Sequence, residues 1–152
     1  PKIHWHPTEV ETTRLASITV YIVESGLPNI APPTFLNATQ SGWADKTDPK
    51  DLITLANLLH LISTPEAETL IAEAAKTLAK DGTLLLYGPY KRDGQLTSEG
   101  DASFDAKLRT HDAETGYKDN IWVIQTAQSA GLKAHETIDM SANNLALVFK
   151  KP

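Results

Sequence analysis

The chain has 152 residues, enough for one domain that buries roughly 68–70% of its unfolded surface. With 41% hydrophobic and 22% charged residues it reads as globular rather than disordered, and a net charge of −5 argues against a general nucleic-acid or membrane surface. The lack of cysteine excludes disulfides, thiolate metal sites and a cysteine nucleophile and agrees with a cytoplasmic setting, while no apolar run reaches the ~18 residues of a membrane span.

Residues 2–6, KIHWH, are aromatic and β-branched and are stopped by Pro7, which predicts a strand. Thr8 followed by Glu11 has the pattern of a capping box, and Leu15, Ile18, Ile22 and Val23 continue with helical spacing to a stop at Gly26. Pro32-Pro33 blocks helix and leads into a short strand at 34–37. DLITLA, 51–56, reads as a buried strand. After a connection at 57–63, Thr64 caps a helix that opens with Pro65 and Glu66 and runs to about Lys80. Asp81-Gly82 turns into the strand 83–87, and the polar stretch 89–102 reads as a long loop. Two helices follow, 104–111 and 120–130, the second ended by Gly131. Residues 133–140 and 144–150 form an antiparallel pair joined by Ser141-Ala142-Asn143. Strands alternating with helices predict an α/β fold with a mostly parallel sheet, a C-terminal antiparallel hairpin and a single domain over 1–152.

In an open parallel sheet, ligands bind beyond the carboxyl ends of the strands. Those ends carry Glu9, Asn37, Asn57 with His60, and the segment Tyr87–Lys91. In LLLYGPYKRDG an apolar run stops at Gly88-Pro89 and gives way to Tyr90, Lys91, Arg92 and Asp93. Gly88 is expected to allow close backbone approach and Pro89 to fix the turn. His60 has the chemistry of a general base, or of a structural histidine bonded to a backbone carbonyl. His4 and His6 share a strand face but lack a third ligand, so no metal is expected. There is no GxSxG elbow and no phosphate-binding P-loop.

LLLYGPYKRDG, FDAKLRTHD and SANNLALVFKK, together with WHPTEVE, GLPNIAPP and ANLLHLIS in the same order, resemble the methyltransferase-like-26 family across essentially the whole chain. That resemblance implies the Rossmann-like class I fold of S-adenosylmethionine-dependent methyltransferases. Family members carry a further strand, a glycine-rich turn and a helix ahead of the segment matching Lys2–Trp5. This chain has no GxGxG-like run, so the resemblance implies an N-terminally truncated domain lacking the first strand and helix. It implies that Glu9 holds the cofactor ribose hydroxyls, since a carboxylate accepts two hydrogen bonds from a diol; the bland alternative is a first-turn carboxylate facing the helix dipole. Asn37 takes the place of an aspartate against adenine, and Asn57 lines the cofactor. Tyr87, Tyr90, Lys91 and Arg92 form a wall facing the substrate, closed by Phe104, Asp105, Arg109 and the pair Asn143-Asn144, which otherwise forms only a turn. The catalytic candidates are His60, Tyr90 and Lys91.

The expectation is a methyltransferase-like protein whose acceptor is not readable from any residue, with S-adenosylmethionine as the family cofactor. Without the glycine turn, activity is not expected of this chain as it stands, and binding of the family cofactor is left open. The competing expectation is a non-enzymatic oligomeric binding or assembly module built on the same fold. A missing central strand would leave an open sheet edge, which predicts a homodimer or larger homo-oligomer that covers it. A small acidic ligand near Lys91 and Arg92 is compatible with this composition.

Overall fold

In the computed structural model, which describes residues 3–152, the chain divides into a smaller unit ending at Ala38 and a larger one, Thr39–Pro152.

The smaller unit is a β-α-β arrangement. Strand β1 (Thr8–Glu9) pairs in parallel with β2 (Thr34–Phe35), and helix α1 (Thr12–Ser25) connects them. The predicted strand at 2–6 is reduced to one parallel bridge between Trp5 and Ile30, and Lys2 lies outside the described residues. Pro7 does not end the extended chain, because its carbonyl accepts from Thr34 N at 3.0 Å and pairing continues into β1. The predicted Thr8–Glu11 capping box does not form. Glu9 Oε1 accepts instead from the amides of Val10 (2.8 Å) and Glu11 (3.0 Å), which delays the helix to Thr12. The helix ends at Gly26 in the left-handed conformation, as predicted.

The larger unit is built on a four-stranded mixed sheet in the order β3-β4-β6-β5, where β3 is Lys50–Ala56, β4 Leu78–Pro89, β5 Lys133–Asp139 and β6 Asn144–Lys150. β3 and β4 are parallel; β6 runs antiparallel to both β4 and β5. Leu84 and Leu86 on β4 and Leu145, Leu147 and Phe149 on β6 are buried, so the two central strands form the floor of the core. Helix α2 (Thr64–Thr77) buries Ala67, Leu70, Ile71, Ala74 and Ala75, an i, i+3, i+4, i+7, i+8 stripe. Helix α4 (Asn120–Ser129) adds Val123 and Ala127.

Local chemistry explains where the elements differ from expectation. α2 is capped by Ser63, not Thr64: the Ser63 hydroxyl accepts from the Glu66 backbone amide and the Glu66 carboxylate accepts from the Ser63 backbone amide, a capping box. The helix stops at Thr77, and Leu78 already pairs with Lys50. Asp81-Gly82 is thus an irregularity inside β4 rather than the turn before it; Asp81 has φ 63°, and the chain is tied to Lys151 through Asp81 N and Gly82 O at 3.0 and 2.9 Å. Helix α3 (Glu99–His111) starts five residues before the predicted Phe104, because Ser98 accepts from Asp101 N at 3.1 Å and caps it inside the stretch read as loop.

Candidate functional site

Register brings the candidate residues of the larger unit to one rim. Ala56 lies beside Tyr87, Tyr87 beside Ala146, and Pro89 beside Asn144. Asn57, Tyr87, Asn144 and the turn at Lys91-Arg92 therefore share the end where β3 and β4 finish, the end at which parallel sheets place ligands. Asn57 has φ 54°, and its amide donates to Tyr87 O at 2.8 Å. Asn144 Nδ2 donates to Tyr87 OH at 3.1 Å. A Cβ at Gly88 would lie 3.7 Å from the Asn57 backbone N and Oδ1, an ordinary contact, so the expected close approach does not require glycine there.

A strap, Gly116–Asp119, is held against this end. Lys91 N donates to Lys118 O at 3.0 Å, and Asn120 N donates to Lys91 O at 3.1 Å. The strap holds the turn that carries His60: Gly116 N donates to His60 O at 3.0 Å, and Lys118 Nζ donates to Ile62 O at 2.7 Å and to Gly116 O at 3.1 Å. It also holds α3, since Tyr117 N donates to Asp105 Oδ1 at 2.6 Å and Tyr117 OH to Asp101 Oδ1 at 3.1 Å.

The His60 ring is buried and packs edge-on against both Phe104 and Tyr117, with each ring centroid 5.9 Å away. Burial, reinforced by the Lys118 charge, pushes its pKa below the ordinary histidine value. The imidazole is therefore neutral at pH 7, the form that accepts a proton. Tyr117 has the opposite bias. Burial, the hydrogen bond to Asp101 and the charges of Asp101 and Asp105 push its phenol up to about 12, so it stays a donor.

Asp101 is the hub of the polar network. Its Oδ2 accepts from Thr97 Oγ1 (2.6 Å), Ser98 Oγ (2.7 Å) and Asn143 Nδ2 (3.0 Å), and its Oδ1 from Tyr117 OH. Burial raises its pKa, but these four hydrogen bonds outweigh burial and hold the carboxyl below the ordinary aspartate value. Asp105 accepts from Arg109 Nε at 3.0 Å as well as from Tyr117 N.

Several candidates have structural duties. Tyr90, expected on the substrate wall, is 2% exposed and belongs to the core; burial drives its pKa far up, which makes it a poor acid or base. Arg92 is tied to Tyr90 O, Asn143 O and Asp139 Oδ1 at 3.3, 3.2 and 3.4 Å and locks the β5–β6 turn. Ala142 and Asn143 both have positive φ, so the Asn143-Asn144 pair is a turn, yet both side chains also reach the rim network. Glu9 and Asn37 belong to the smaller unit, where Glu9 is held below the usual carboxylate range by the Glu11 and Val10 amides and Arg14, against a smaller opposing effect of burial.

Lys91, Arg109, Tyr117 and Lys118 face an open groove of about 630 Å³, with Thr64 and Trp122 on its helical side. Sequence reasoning missed Asp101, Tyr117 and Lys118. The only local signal was Ser98-x-x-Asp101, a cap pattern hidden in a polar stretch; nothing near Tyr117-Lys118 marks them. Gly116 is a sharper case. A Cβ there would lie 2.7 Å from both Arg109 Nη2 and Asp105 Oδ1, and its φ is 116°. Gly116→Ala is expected to destabilise the larger unit by about 1–3 kcal/mol, read as a lower urea midpoint with unchanged m.

A family model for proteins of unknown function, DUF938, matches residues 1–151. The chain belongs to that family. Its fold is that of class I methyltransferases. Over 99% of its length it matches an O-methyltransferase family protein from Burkholderia thailandensis, with a TM-score of 0.82 at 18% identity, and it covers 44% of that chain. PigF with SAH matches with the same TM-score and coverages at 14% identity. Human N-acetylserotonin methyltransferase in complex with SAM matches 79% of the chain with a TM-score of 0.63 at 16% identity, over 34% of its own length. The DUF938 chain thus spans less than half the length of these structures. Among its described residues, no helix is long and apolar enough to cross a membrane.

Proposed function

We propose that this DUF938 chain, as a relative of the methyltransferase-like-26 family, is the acceptor-binding part of an S-adenosylmethionine-dependent methyltransferase acting on a small molecule. The observation that carries this reading is His60. It is a buried neutral imidazole held at the ligand-binding end of the sheet, in a fold shared over 99% of the chain with an O-methyltransferase family protein.

The residues present fit part of the cofactor. Glu9 Oε1 is used by two amides, but a carboxylate has about four acceptor positions, and among the described residues Oε2 is paired with Arg14 Nη1 at 3.9 Å. That leaves acceptor capacity for ribose hydroxyls. Asn57 is exposed next to the end of β4, with its amide group available for a polar ligand edge. When bound, S-adenosylmethionine supplies an electrophilic methyl group. His60 accepts the acceptor's proton at a ring nitrogen, and a buried imidazole of lowered pKa is in the right form to do so. Tyr117 and Phe104 fix the imidazole plane, and the groove beside Lys118 gives room for a small acceptor.

Calorimetric titration with S-adenosylhomocysteine tests this reading. Micromolar binding, weakened about tenfold by Glu9→Ala, is the expected result. No heat at millimolar ligand would remove the cofactor from this chain and the reading with it.

A further inference from the structure

We propose that Lys118 is a positioning residue for His60, closing a ring of hydrogen bonds around the His60 turn and facing it with a fixed positive charge. The inference rests on the reading of His60 as the proton acceptor, and deepens it.

The ring is short and complete. Gly116 N donates to His60 O at 3.0 Å. Gly116 O accepts from Lys118 Nζ at 3.1 Å, and the same Nζ donates to Ile62 O, two residues beyond His60, at 2.7 Å. The turn is a single 3-10 segment, Leu59–Leu61, which has little stiffness of its own. Lys118 therefore holds the Ile62 side of the turn while Gly116, which it also binds, holds the His60 side.

A lysine is a costly choice for a clamp. It is 7% exposed, and both partners are neutral carbonyls. Desolvation pushes its pKa down, helped by Arg109 and Lys91 and opposed by Asp105 and Glu66. A neutral donor would close the same ring without that cost. What the ammonium adds is repulsion of a second positive charge on the neighbouring imidazole, which adds to burial in lowering the His60 pKa. The groups around the pair are Asp101, Phe104, Asp105 and Arg109 from α3, Tyr117 from the strap, Glu66 from α2 and Lys91 from the end of β4. The carboxylates Asp101 and Asp105 are bonded to Tyr117, and Asp105 also to Arg109; burial is the larger cause of the lowered His60 pKa, and Lys118 is the charge that adds to it.

The test is an NMR titration of the His60 imidazole in the full chain, with His60→Gln identifying its resonance and no cofactor or acceptor added. In the wild type, His60 is expected to titrate below an ordinary histidine. In Lys118→Met it is expected to bind its proton about threefold or more tightly. The Gly116 amide, bonded to His60 O, is expected to exchange with deuterium faster in the same variant. Lys118→Arg, which keeps the charge, is expected to keep the low midpoint. A folded Lys118→Met with unchanged His60 titration and unchanged Gly116 exchange overturns the proposal. Should Lys118→Met fail to fold, a wild type or Lys118→Arg protein whose His60 titrates at the ordinary value overturns it equally. Because the readout needs no methyl transfer, a flat titration and a failure to bind S-adenosylhomocysteine are separate results.

Discussion

Asp101→Ala is expected to destabilise the larger unit by about 3–5 kcal/mol and to lower its Tm on the order of 10–15 °C. The carboxylate is 8% exposed and satisfies four side-chain donors from three places: Thr97 and Ser98 before α3, Tyr117 on the strap and Asn143 in the β5–β6 turn. Thr97 and Ser98 can re-aim their hydroxyls. Tyr117 OH and Asn143 Nδ2 are held by packing and by a turn, and stay unpaired. The loss therefore spreads from α3 to the ring beside His60. Asp101→Asn keeps the shape and costs less, about 1–2 kcal/mol. The pH dependence separates the two effects. The folded carboxyl lies below its ordinary value, so its stabilisation is fully present above the unfolded value, ~pH 4, and disappears as pH falls through the folded one. Urea midpoints measured between pH 7 and pH 3 should fall more steeply in the wild type than in Asp101→Asn. Equal slopes would show that Asp101 is not the group being protonated.

Glu73→Ala is the second large effect, about 3–4 kcal/mol. Glu73 is 2% exposed in the middle of α2. Its Oε2 accepts from Gly42 N and Ala44 N, both at 2.9 Å, and its Oε1 from Lys76 Nζ at 2.7 Å. The Lys76 hydrogen bond, with the Ala44 and Gly42 amides, holds its pKa below the usual glutamate value against burial. Lys76 is largely exposed, so solvent screens the ion pair and the two backbone amides carry most of the loss. Glu73→Gln still accepts from the amides and is expected to lose only about 1–2 kcal/mol. A Glu73→Gln protein as unstable as Glu73→Ala would shift the weight onto the ion pair. The sign with pH matches Asp101: the contribution is present above the unfolded glutamate value and is lost on acidification through the folded one.

Neither carboxylate was visible as a hub from the sequence. Glu73 sits among the alanines of α2 like any helix glutamate, and Asp101 lies in a stretch rich in serine, glycine and acids that reads as loop. What marks them is burial, which sequence spacing does not report for single polar residues. Boundaries failed for a related reason. The N-terminus of α1 moved to Thr12 because Glu9 took the amides that Thr8 was expected to cap. The start of α3 moved to Glu99 because Ser98 and Asp101 cap each other.

The residues alone determined the fold class. Alternation of apolar strands with 3.6-period helices, the buried run 83–87 and the paired tail strands reflect burial demands that repeat along the chain, and the same order stands in the structure. They also placed Asn57, His60, Tyr87 and Lys91 near the end of the sheet where β3 and β4 finish, since strand ends follow from chain order. Only the tertiary structure decided which of these side chains are free to act. Tyr90 was drawn into the core and Arg92 into the β5–β6 turn, while a strap 56 residues beyond His60, with Lys118 at its centre, came to hold the imidazole. Contacts between residues so far apart depend on how helices and strands pack in space, and no local pattern in the chain carries that information.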